Sequence, residues 1–203
     1  KKVEDLGGRT QVTTSRGETI SAAAVIVTLP MNVLPYVEFS PPLDPLVVEA
    51  GKETHSGRGC KVYAKVKGRV TSHGKSTALG SADLPISLWF TYAQEADHTI
   101  LLGFGADASK LDINDEQAVQ AAVRGFYPNA EVESCFGYDW THDPYSRGTW
   151  AVYRPHWFGK YYAHFGKDQG RILFATGDHG EGWRGFIDGA IGGGIRAAQR
   201  LQQ

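Results

Sequence analysis

Arg171-Ile172-Leu173-Phe174-Ala175-Thr176-Gly177-Asp178, continuing through Gly182-Trp183-Arg184-Gly185-Phe186-Ile187-Asp188-Gly189-Ala190, is the stretch that decides how this chain folds. Its first half is apolar and β-prone and reads as a strand entering a turn. Its second half opens a helix over 186–201, with Ile187, Ala190, Ile191, Gly194, Ile195 and Ala198 on one side. A strand that ends in Gly-Asp and leads into a helix is a geometry suited to a cofactor. Gly177 lets the backbone come close, and the Asp178 carboxylate can accept hydrogen bonds from ligand hydroxyls. The helix start near Gly185 offers unpaired N–H groups and a positive dipole end. A plain loop is the commoner meaning of Gly-Asp taken alone. Gly192, Gly193 and Gly194 lie inside the helix, and each costs ~1 kcal/mol relative to alanine. Another backbone, a ligand or a closely packed strand must offset them.

Working outward, 9–14 is β-prone, 15–18 is a turn around Gly17, and 22–28 is an apolar run whose second half reads as a buried strand ended by Pro30. Pro41, Pro42 and Pro45 stiffen the connector that follows Phe39, and a domain boundary is expected there. A short helix is expected over 46–53. The segments 60–66, 86–91 and 99–103 alternate in the strand manner. The clearest amphipathic helix spans 114–126, with Asn114 as its expected cap and Asp115 and Glu116 suiting its positive end. A strand is expected over 131–140.

The totals exclude several classes. Charged residues make up 21% and the net charge is −1, with no basic stripe, so a nucleic-acid partner is not indicated. No apolar run approaches the ~20 residues of a membrane span. Cys60 and Cys135 stand far apart without a CxxC companion and read as free thiols. His142, His156, His164 and His179 lack the spacing of a metal site, and there is no G-x-S-x-G of a serine hydrolase. The compartment is not given by the sequence, although a cytoplasmic location is favoured.

The tail resembles the C-terminal flavin signature of the monoamine oxidase family: a strand, an acidic residue, a Trp, an aromatic, an acidic residue, then Gly-Ala and a helix. Two upstream stretches agree. Ala24-Val25-Ile26-Val27-Thr28-Leu29-Pro30 with Phe39-Ser40-Pro41-Pro42-Leu43 is similar to the family's entry into its substrate domain. Asp143-Pro144-Tyr145-Ser146-Arg147-Gly148-Thr149-Trp150 is similar to the segment that returns to the flavin.

The resemblance implies an α+β fold: the C-terminal portion of a Rossmann-like FAD-binding domain (1–40 and 146–203) plus a mixed-sheet substrate domain (41–145). It implies oxidation of a primary or secondary amine by hydride transfer to FAD, with molecular oxygen reduced to hydrogen peroxide. By the same resemblance Lys61 falls at the lysine beside flavin N5. Trp150 and Phe186 fall at the aromatic cage that sandwiches the amine. Gly177, Asp178, Trp183, Phe186 and Ile187 fall on the flavin. From the residues alone, Lys61 is a solvent-facing strand lysine and Trp150 and Phe186 are ordinary core. Thr149 stands where some members carry a cysteine linked to the flavin, so the FAD is expected to be non-covalent. The βαβ unit in which the family sets its opening GxGxxG loop is not found in this sequence; the G-x-G-x-x-G at Gly180–Gly185 falls inside the C-terminal signature. An N-terminal segment, or a subunit supplying it, is expected to hold the rest of the FAD, and the 203 residues alone are expected to be inactive. Two other readings stay open: an L-amino acid oxidase, for which Arg154 is the candidate carboxylate ligand, and a flavin-free interaction module.

Overall fold

The computed structural model describes residues 1–72 and 74–202. In chain order the strands and helices are β1 (Lys2–Asp5), β2 (Thr10–Thr13), β3 (Thr19–Ala22), β4 (Val25–Val27), β5 (Glu38–Ser40) and α1 (Pro45–Glu53). There follow β6 (Cys60–Lys67), β7 (Thr77–Leu79), β8 (Leu88–Gln94), β9 (His98–Gly105), α2 (Glu116–Arg124) and β10 (Val132–Gly137). The chain closes with α3 (Trp157–Lys160), β11 (Ile172–Phe174) and α4 (Ile187–Leu201). This mixture of helices and separate sheets is the expected α+β class.

Packing divides the chain into two compact units, Lys1–Gly57 with Pro144–Gln203, and Arg58–Asp143. The expected boundary after residue 40 does not coincide with this division, because 41–57 stays with the first unit. The cause is local. Asp44 caps α1 by accepting from the Leu46 N–H, and Pro45 suits the first helical turn. α1 then lies so close to the 3-10 helix Met31–Tyr36 that a Cβ on Gly51 would stand 2.7 Å from the Met31 carbonyl oxygen.

The first unit contains a four-stranded sheet ordered β3-β2-β1-β5, in which β1 and β5 run parallel, and a separate parallel pair, β4 with β11. Its core gathers Val3, Val27, Leu34, Phe39, Val47, Ile172 and Phe174. The run 22–28 is less buried than expected. Only Val27 is buried within β4, and Ile26 is exposed.

The second unit is a five-stranded antiparallel sheet ordered β10-β6-β9-β8-β7. Alternation does the sorting. Val62, Ala64, Val66, Trp89 and Leu101 point to one face, where Val119 and Val123 of α2 join them in the core. Lys61, Tyr63, Phe90, Tyr92, Phe104 and Phe136 occupy the other face, with Phe136 69% exposed. The cap of α2 is Asp115 rather than Asn114: its carboxylate accepts from the Gln117 and Ala118 N–H groups. Asn114 lies one residue too early to reach them.

In α4 the packed face is not the isoleucine side. Ile187, Ile191 and Ile195 are exposed, whereas Gly189 and Ala197 are buried. Gly189, Gly193 and Ala197, spaced at i, i+4, i+8, form the ridge that packs. A Cβ on Gly189 would stand 2.6 Å from the Trp183 carbonyl oxygen, and one on Gly193 would touch Ala175. Within the glycine triplet, Gly193 lies against Ala175 and Thr176 at distances that a Cβ would also satisfy, and Gly192 and Gly194 face open space.

Candidate functional site

The turn joining β11 to α4 carries most of the expected cofactor residues. The Thr176 hydroxyl accepts from the Asp178 N–H and starts a short 3-10 turn over Gly177–His179. The Gly185 N–H donates to the Gly177 carbonyl, which closes the loop back on itself. Gly185 has φ +78°, and a Cβ there would lie 2.8 Å from Trp150 Nε1. The turn therefore needs glycine at 185 both for its backbone and for its neighbour. Trp183 takes φ +43° without that freedom and leaves its ring 70% exposed. No side chain caps α4 at Phe186, so the first amides of that helix remain available to another acceptor.

Asp178 is aimed partly inward. Its Oδ2 accepts from the Met31 N–H at 2.7 Å and stands 3.3 Å from His55 Nε2. The latter is an ion-pair approach rather than an aligned hydrogen bond. Burial opposes ionisation of Asp178, but the His55 imidazole, the Met31 N–H and His179 outweigh it, and the carboxyl is held below its usual range. Among the described residues Oδ1 has no protein partner. Its own carbonyl accepts from the Tyr153 hydroxyl at 2.6 Å. Burial pushes the pKa of that phenol well above its ordinary value, and Asp178 adds to the rise. Burial likewise lowers the His179 imidazole to about 4, with Asp178 opposing, so this ring is neutral at neutral pH.

Trp150 and Phe186 are brought together, with centroids 5.2 Å apart. Both are about half exposed, at 55% and 47%, which sets aside the plain-core reading. Their planes meet at 86°, so they touch edge to face and form a corner rather than a parallel slot. The Trp150 Nε1–H donates to the Gly185 carbonyl at 2.7 Å and fixes the indole on the turn. Trp183 meets Phe186 edge to face from another side, at 5.8 Å.

Lys61 belongs to the second unit, exposed on β6, with its ammonium 5.4 Å from the Tyr63 ring centre and 5.7 Å from that of Phe104. Arg154, the candidate for a substrate carboxylate, donates to the Glu53 carbonyl at 3.2 Å. Cys60 and Cys135 are free thiols. Among the described residues no group of three or more His, Cys, Asp or Glu could hold a metal, and no helix is long and apolar enough to cross a membrane.

Asn32, His55 and Tyr153 did not stand out in the sequence. Their importance comes from contacts across long chain separations, and single residues carry no periodic or motif signal for such contacts.

A flavin fits what the turn offers. Among the described residues one Asp178 carboxylate oxygen is unpaired, the N-terminus of α4 is uncapped, and three exposed aromatic rings lie around them. Comparison with known proteins agrees. The chain belongs to the family of flavin-containing amine oxidoreductases, whose model matches residues 1–202. Among curated relatives, pseudooxynicotine dehydrogenase of Pseudomonas sp is 39% identical over 95% of this chain and 39% of its own length. The (S)-6-hydroxynicotine oxidase of Paenarthrobacter nicotinovorans is 29% identical over 93% of this chain and 43% of its own length. The chain thus spans about two fifths of these relatives. Among solved structures, putrescine oxidase bound to putrescine superposes with a TM-score of 0.81 at 19% identity, over 100% of this chain and 48% of that one. Cyclohexylamine oxidase from Brevibacterium oxydans IH-35A gives 0.80 at 17% identity, over the same shares. At these identities the likeness is one of fold.

Proposed function

We propose that the complete protein oxidises a primary or secondary amine with an apolar body, a nicotine-related amine being one candidate, to the imine. The observation that carries this is the exposed Trp150–Phe186 corner, hydrogen-bonded to the turn that also holds Asp178 and the uncapped start of α4. When bound, FAD would supply the redox chemistry, accepting the hydride lost from the carbon beside the nitrogen and passing the electrons to molecular oxygen as hydrogen peroxide. Asp178 would hold a flavin hydroxyl through its unpaired Oδ1. Gly177 and the N-terminal amides of α4 from Ile187 onward would face the ring and favour negative charge on it. Trp183 would line the same ligand. Trp150 and Phe186 would orient an uncharged amine by presenting ring faces, with one ring turning if the amine is to be sandwiched. Lys61 would place a cation beside the reacting flavin atom. Thr149 offers no thiol, so acid should release the flavin. The adenosine half would be held by residues outside these 203, on a further segment or subunit.

The names of the relatives leave two electron acceptors to separate, since one is a dehydrogenase and another an oxidase. Peroxide release during turnover decides between them. Arg154 donates one hydrogen bond, to the Glu53 carbonyl, and the L-amino acid reading is left to the substrate comparison. The central test is stopped-flow reduction of the flavin in the complete protein by amines and by L-amino acids. Trp150→Ala and Lys61→Met are expected to slow turnover, the latter by ~2.7–4 kcal/mol of barrier as for one preorganised electrostatic group. A Trp150→Ala protein that melts far lower yet reduces its flavin at the wild-type rate would refute the amine corner.

A further inference from the structure

One buried side chain ties the Trp150 loop to the Asp178 turn. Asn32 is 2% exposed and lies in the 3-10 helix after β4. Its Nδ2 donates to the Arg147 carbonyl at 2.9 Å, across 115 residues of chain. Its Oδ1 accepts from the His55 N–H at 3.0 Å. His55 in turn stands 3.3 Å from Asp178, and Met31, the neighbour of Asn32, donates to the same carboxylate oxygen. The two ends of one amide therefore hold the 147–150 loop and the His55–Asp178 pair in a single frame.

The surroundings make this frame specific to asparagine. A carboxamide offers both a donor and an acceptor on one short planar group. Aspartate would face the Arg147 carbonyl with a second acceptor, and leucine would leave both backbone groups buried and unpaired. The loop is crowded against the amide: a Cβ on Gly148 would stand 2.5 Å from Asn32 Nδ2, and one on Gly57 would stand 2.5 Å from the Trp150 carbonyl oxygen. Arg147 takes φ +52°, with its guanidinium 3.7 Å above the Tyr36 ring. This strained residue is held by the very carbonyl that Asn32 binds. The next residues lead directly to the Trp150 indole.

We propose that Asn32 is a positioning residue for amine oxidation: through the Arg147 carbonyl it sets where the Trp150 ring stands relative to Phe186. The proposal rests on the reading of Trp150 and Phe186 as the amine site. Asn32 itself touches neither amine nor flavin; it acts through the loop. An ångström of misplacement at such a site costs on the order of 10²-fold in rate.

The experiment is a double-mutant cycle in the complete flavoprotein, comparing Asn32→Asp, Trp150→Ala and the pair. The readouts are bound flavin, melting temperature, the limiting rate of flavin reduction and the amine concentration at half that rate. Asn32→Asp is expected to keep its flavin and to lose on the order of 10²-fold in limiting rate. In the Trp150→Ala background the same change is expected to cost almost nothing further. Gly148→Ala, which presses on Nδ2 from the loop side, is expected to reproduce the effect and serves where Asn32→Asp does not fold. Costs that multiply in the pair would overturn the proposal, because Asn32 would then act elsewhere. Normal rates in Asn32→Asp with a slow Trp150→Ala would overturn the positioning role alone. A normal rate in Trp150→Ala would instead remove the amine site on which it rests. Failure of every variant to fold would make Asn32 core and equally overturn it.

Discussion

Strand β8 and the turn before α4 both present aromatic rings, and they do so by opposite means. On β8, Trp89 and Phe90 are sequence neighbours. Trp89 is fully buried against the core, and Phe90 points the other way, edge to face with Phe104 at 5.9 Å. The pleat alone separates them. In the turn, Trp183 and Phe186 are set by backbone. A positive φ at Trp183, another at Gly185 and the absence of side chains at Gly180 and Gly189 allow the chain to fold tightly enough for both rings to emerge on the surface. The sheet places side chains by periodicity and the turn places them by omission. That difference governs which mutations each region tolerates.

The contrast breaks most readily on β8. Trp89→Ala empties a site packed against Gly103, whose missing Cβ would lie 2.7 Å from the indole. It is expected to cost ~3–5 kcal/mol of stability. Phe90→Ala, one residue on, is expected to cost only about 1 kcal/mol, the worth of its edge-to-face pair. Chemical denaturation of both variants checks this. Equal losses would show that the aromatic face of the sheet is as much core as the other.

The next effect lies beside the turn and depends on pH. His179 sits under the Phe165 ring, with centroids 4.7 Å apart, and burial lowers its pKa from 6.5 to about 4. In the unfolded chain the imidazole takes up a proton near 6.5, and in the folded chain it does not. Stability contributed by this group is therefore complete above pH 6.5 and is lost as pH falls toward 4. Over that window the loss is about 3 kcal/mol. Melting curves of His179→Phe against wild type should diverge in slope between these pH values, with the variant flatter. Parallel slopes would mean that the ring titrates freely in the fold.

How much of this was legible follows the same division. The alternation of β6, β8 and β9 and the period of α2 are properties of neighbouring residues, and they read directly from the sequence. The Gly-Asp turn was legible as a motif, and Trp150, Phe186 and Asp178 fall in one compact unit. The edge-to-face angle of the two rings was not legible, because it depends on a hydrogen bond from Trp150 to Gly185 across the fold. Nor was the role of Asn32, which bonds to one residue 115 positions away and to another 23 away. The packed face of α4 was not legible from its isoleucine line either: Ile187, Ile191 and Ile195 are exposed, and Gly189 and Ala197 are buried.

The smallest effect separates the two neighbours at the start of α2. The sequence offers Asn114 and Asp115, both residues that favour an N-cap. Geometry decides between them. The cap must sit immediately before the first helical residue, with extended backbone, so that its side chain reaches the amides two and three positions on. Asp115 has φ −86° and ψ 104°, and its Oδ1 lies 2.9 Å from the Gln117 nitrogen and 3.3 Å from that of Ala118. Its negative charge also complements the helix dipole. The Asn114 N–H, by contrast, donates to Asp112 at 2.9 Å and belongs to the preceding loop. Asp115→Ala is therefore expected to cost ~1 kcal/mol, and Asn114→Ala only a few tenths, as for an exposed loop position. Urea denaturation of the pair measures the difference. Because α2 supplies Val119 and Val123 to the core beneath β6, the Asp115 loss should appear as a lower midpoint with unchanged slope. A larger loss in Asn114→Ala would move the start of the helix back to where the sequence first suggested it.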